Sequence, residues 1–102
     1  MTASIADEIR LALMNVVDPE LLIDVVEIGL IRGITVDDAG VATVVFTLTT
    51  PACPFGEQIA AQIQEYAAAV EGVTQVELEL TFSPPWKISD LGDDARFALG
   101  LD

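Results

Sequence analysis

Apolar and polar residues alternate strictly near the end of the chain, with Val76, Leu78, Leu80 and Phe82 set against Gln75, Glu77, Glu79 and Thr81. A period of two is that of a strand with one covered face and one solvated face, here acidic. Residues 41–49 repeat the pattern, with Ala42, Val44, Phe46 and Leu48 on one face and Thr43, Val45, Thr47 and Thr49 on the other. Upstream, Leu30, Arg32, Ile34 and Val36 would share one face of a strand over 30–36. The run Asp37-Asp38-Ala39-Gly40 between these two strands is a hairpin turn signal.

Elsewhere the apolar period lengthens to that of a helix. Ser4-Ile5-Ala6-Asp7 reads as a capping box, and Ile5, Ile9 and Leu13 carry one apolar stripe through about Asn15. Asp18-Pro19-Glu20 is expected to break this helix, because the residue before a proline is pushed out of the α region. Asp18 would then cap a short second turn, with Pro19 at its first position. Phe55, Ile59, Ile63, Tyr66 and Val70 mark another helix that Gly72 ends, and a last short helix is expected from Asp90 to Leu99, stopped by Gly100.

The expected fold is an α/β (α+β) two-layer sandwich in α-β-β-α-β-α order. A small three-stranded mixed sheet carries its helices on one face. The hairpin makes the first two strands antiparallel, and a right-handed crossover makes the second and third parallel. Residues 1–102 read as one domain, with no repeat, linker or low-complexity segment.

Composition narrows the function. The apolar fraction of 52% argues against disorder. No apolar run approaches the ~18 residues of a membrane helix. The N-terminal residues show no basic segment followed by an apolar one, so no signal peptide is expected. Acidic residues outnumber basic ones 17 to 4, for a net charge of −13. With only Arg10, Arg32, Lys87 and Arg96 to meet phosphates, nucleic acid is a poor partner. The acidity suits a solvated surface, a basic partner or attraction of metal ions, and composition does not choose among these.

The single cysteine, Cys53, lies in TLTTPACPFG, between the second strand and the helix after it. One cysteine makes no internal disulfide, and a reduced cytoplasmic thiol is the expectation. With Pro54 at the first helical position, Cys53 would fall at or near the helix cap, where unpaired N–H groups favour the thiolate. A lone cysteine is also often just a small buried hydrophobe. Thr49 and Thr50 suit a strand by their β-branching, and their hydroxyls also suit a thiolate or a ligand.

The chain has no histidine, so a Cys–His nucleophile is excluded. Structural zinc and a complete iron–sulfur cluster each take about four ligands, which one thiol does not supply. A metal here must be shared between subunits, completed by carboxylates or small thiols, or transient. Asp18 and Glu20 are either an acid–base or ligand pair, or a turn cap beside a solvated glutamate.

The segments VVDPELLIDVVEIGLIRGI, TLTTPACP and SPPW, in this order and spacing, closely resemble the SufT- and PaaD-like family, a domain of once unknown function now linked to iron–sulfur cluster assembly. The resemblance runs over roughly residues 5–100. It implies the same α/β sandwich and a cytoplasmic accessory factor, not an enzyme, that matures or delivers clusters to client proteins. Carried over, the family's functional positions fall on Asp18, Glu20, Thr49, Thr50 and Cys53. The Pro84-Pro85-Trp86 turn is a family feature expected to shape the same pocket.

Cys53 would then be the functional thiol and a transient metal ligand. The cargo would be iron or an iron–sulfur cluster, with nothing tightly bound. The implied partners are the assembly machinery or client apoproteins, with no nucleic acid and no membrane. A homodimer would bring two Cys53 thiols together if the sites face each other. Longer PaaD-like members carry extra cysteines after the domain, so general cluster assembly is expected here over a phenylacetate-oxygenase role. The alternative is a non-catalytic protein–protein adaptor whose cysteine is structural.

Overall fold

A computed structural model describes residues 4–19, 21–49 and 55–100. Helices α1 (Ile5–Leu13) and α2 (Val25–Ile28) precede strands β1 (Ile31–Val36) and β2 (Val41–Phe46). Helix α3 (Gly56–Ala68), strand β3 (Gln75–Leu80), a 3-10 turn (Ile88–Asp90) and helix α4 (Asp93–Ala98) follow. The sheet order is β1-β2-β3, antiparallel across the first pair and parallel across the second. This is the mixed three-stranded α+β architecture that the periodicities imply.

The hairpin closes on its own side chain. Asp37 Oδ1 accepts from the Ala39 and Val41 N–H groups at 2.9 and 3.0 Å. Gly40 takes the left-handed φ of 85° that the turn requires.

Residues directly opposite in a sheet share a face. Ala42, Val44 and Phe46 of β2, all buried, therefore align with Val36, Ile34 and Ile31 of β1 and with Val76, Leu78 and Leu80 of β3. Helix α1 packs against β1 and α3, and α3 packs against β3, covering this face. On the opposite face Thr35, Glu77 and Glu79 are exposed. The core gathers Ile9 and Leu13 of α1, Ile59, Ile63 and Ala67 of α3, and Val25 and Ile28 of α2 around the sheet.

The structure departs from the sequence expectation in definite places. The β1–β2 register shifts between Ile31 and Gly33, making Arg32 the extra residue of a bulge. Simple alternation placed Arg32 on the core face; the bulge puts Ile31 there instead. Arg32 turns to Asp90, which it meets at 3.5 Å.

Helix α1 ends at Leu13, well before Asp18-Pro19. The N–H groups of Met14, Asn15 and Val16 bond three residues back, winding the helix off in 3-10 turns. On α3, Ala67 is buried and Tyr66 is exposed, so the smaller residue faces the core. Thr47, expected on the more polar face, is fully buried, because regular alternation stops with β2 at Phe46. Leu80 and Phe82, expected inward, are exposed, at and beyond the end of the edge strand β3.

Candidate functional site

The site is built around a loop that fastens to itself. Val25 N–H donates to the Val16 carbonyl at 2.9 Å, and Asp18 N–H donates to the Ile23 carbonyl at 3.0 Å. Within the loop, Leu22 N–H donates to the Asp18 carbonyl at 2.7 Å and Leu21 N–H to Asp18 Oδ1 at 3.2 Å. Asp18 thus caps a tight turn, as its position before proline suggested. It is also 2% exposed. A carboxylate is rarely buried this deeply unless its surroundings hold it.

Trp86 is held across the chain from this loop. Its indole Nε1–H donates to the Ile28 carbonyl at 2.9 Å, at the end of α2. The turn behind it is fixed by Asp90, whose Oδ2 accepts from Lys87 N–H at 2.9 Å and from Arg32. Gly29, the C-cap of α2, has a φ of 89°, and a Cβ there would overlap the Asp90 carbonyl oxygen. Only glycine lets α2 and the 3-10 turn approach this closely.

These supports bring Asp18, Leu21, Thr49 and Trp86 around one cleft of about 160 Å³. Its lining combines a buried carboxylate, a threonine, an aliphatic side chain and an indole. Pro84 and Pro85 are exposed and do not line it. Glu20, Thr50 and Cys53 lie outside the described residues. The helix following Cys53 has Phe55 as its N-cap and Gly56 as its first residue. This corrects the expectation that Pro54 opens the helix; the cap lies two residues past Cys53 in sequence. Among the described residues no group of three or more acidic, cysteine or histidine side chains is arranged to hold a metal. None of their helices is long and apolar enough to cross a membrane.

Some contributors escaped the sequence reading. Leu21 completes the cleft, and its place directly after Asp-Pro-Glu was the available signal. Glu27 links α2 to α4: its Oε1 accepts from Ala95 N–H at 3.1 Å, and its carbonyl accepts from Gly92 N–H at 2.8 Å. Because α4 has glycine at its N-cap and no side-chain cap of its own, Glu27 supplies the acceptor from a distance.

Residues 6–78 match the family described as iron–sulfur cluster assembly protein. The chain belongs to this family. The chain is 42% identical over 86 residues to the Fe-S protein maturation auxiliary factor SufT of Staphylococcus aureus, covering 84% of this chain and 98% of that protein. It is 34% identical over 79 residues to an iron–sulfur cluster carrier protein of Synechocystis, covering 78% of this chain but only 22% of that longer protein. A crystal structure of the Domain of Unknown Function DUF59 from Bacillus anthracis superposes with a TM-score of 0.91 at 29% identity, covering 96% of this chain and 93% of that one.

Proposed function

We propose that this member of the iron–sulfur cluster assembly family is a cytoplasmic accessory factor that passes iron or a cluster to client apoproteins and is not itself an enzyme. The observation carrying the reading is the convergence of Asp18, Thr49 and Trp86 from three separate segments on one cleft. That cleft belongs to a chain whose relatives are named as a maturation factor and a cluster carrier. The cluster is cargo in this account. In this reading Cys53 is its thiolate ligand, Glu20 and Thr50 are the further oxygen donors, and Asp18 and Thr49 form the polar wall of the cleft.

The donor chemistry suits release. Thiolates bind iron–sulfur clusters tightly in sets of about four. One thiol with oxygen neighbours holds cargo far more weakly, and exchange to a client with a full cysteine set is downhill. The Trp86 indole and Leu21 give the cleft an apolar side. Assembly partners or clients supply the remaining ligands, or a second copy of the chain does so.

Anaerobic reconstitution with iron and sulfide, followed by visible absorption, tests this reading. The wild type should develop a labile charge-transfer band that Cys53→Ser abolishes. Absence of a band in the wild type, or an equal band in both proteins, would contradict it and favour an adaptor with a structural cysteine.

A further inference from the structure

A groove of about 420 Å³ draws on the same 17–24 loop but shares no residue with the cleft. Met14, Val17 and Leu22 form its apolar wall and are 50%, 42% and 78% exposed. Ile23 and Ala95 complete the apolar lining, and Asp24 and Glu27 add two carboxylates. Leu22 also holds a left-handed φ of 58°. That conformation is costly for a leucine, and here it gains little burial in return. Strain of this kind in a non-glycine residue points to use.

We infer that this groove docks a cationic amphipathic segment of another protein, its leucine-like residues covering Met14, Val17 and Leu22 and its Lys or Arg residues meeting Asp24 and Glu27. Charge selects this occupant. A second copy would bring a net charge of −13 against another −13, and an anionic membrane surface would repel the same face. An apolar strip flanked by cations complements both the wall and the carboxylates. Because Asp18 and Leu21 of the same loop line the cleft, such a partner would sit beside it. The inference does not depend on the cluster reading.

The test uses a synthetic peptide of leucine and lysine at amphipathic helical spacing, and its leucine–glutamate counterpart. Fluorescence anisotropy reads affinity and 15N NMR titration reads position. The lysine peptide should bind and shift amides around Met14, Leu22 and Ala95, while the glutamate peptide should not bind. Leu22→Asn keeps the net charge, and asparagine tolerates the left-handed region. It should weaken binding at least tenfold with a melting temperature no lower than that of the wild type; Met14→Ser should weaken binding as much. Equal affinity in these variants, or shifts spread over Glu77 and Glu79, would overturn the proposal as diffuse attraction to an acidic surface. So would a Leu22-dependent dimer in sedimentation.

Discussion

Replacing Gly29 with alanine is expected to cost far more stability than one methyl group suggests. Alanine at a φ of 89° bears a left-handed penalty of roughly 1–2 kcal/mol. Its Cβ would overlap the Asp90 carbonyl oxygen and lie 3.0 Å from the Asp90 carbonyl carbon and Cβ. Forcing that carbonyl aside is an overpacking change of about 1–3 kcal/mol. The stiffer unfolded chain returns about 0.4–1 kcal/mol. The net loss is therefore about 1.5–4 kcal/mol, against a total of about 5–15 for a domain. At ~4–8 °C per kcal/mol for a domain of this size, the melting temperature should fall by roughly 6–32 °C.

Urea unfolding followed by tryptophan fluorescence suits the measurement, because Trp86 is the single tryptophan and bonds to Ile28 beside Gly29. Gly33→Ala is the internal control. A Cβ there meets only the Val45 Cβ at 4.0 Å, so stability should stay within about 1 kcal/mol. A Gly29→Ala protein within about 0.5 kcal/mol of wild type would refute the close approach of α2 and the 3-10 turn, and with it the account of how Trp86 is placed.

Three further outcomes follow from the same contacts. Glu27→Ala removes the remote cap of α4 and should cost about 0.5–2 kcal/mol; Glu27→Gln, which keeps an acceptor oxygen, should cost less, and amide exchange at Ala95 should speed up accordingly. Ile63→Ala, at a fully buried α3 position, should cost about 2–5 kcal/mol in urea unfolding. Trp86→Phe removes the donor to the Ile28 carbonyl and should cost about 1–3 kcal/mol if that oxygen is left without a partner. A near-neutral Trp86→Phe in urea unfolding would show that the indole hydrogen bond does not brace the cleft.

What was legible in the residues was mostly local. The strict alternation of β2, the Asp37–Gly40 hairpin and the helical period of Ile59 and Ile63 each follow from neighbours in sequence. Helix α2 was missed because four residues carry no readable period. Its Asp24 cap, donating partner Glu27 N–H and contacts with α4 hold it instead. The Arg32 bulge was invisible for a related reason, since a single inserted residue leaves the hydrophobic pattern plausible on either side. At the site, Asp18, Thr49 and Trp86 were each named from motifs. Their convergence rests on contacts between residues far apart in sequence, such as the Trp86 indole on the Ile28 carbonyl. No periodicity encodes such pairings.

The most direct test of the central claim is the activity of cluster-dependent client enzymes in a strain lacking the native protein, complemented with wild type or with Cys53→Ser at equal abundance. A cluster-handling factor predicts that wild type restores client activity and Cys53→Ser does not. Full rescue by Cys53→Ser would contradict direct handling of the cargo by this thiol.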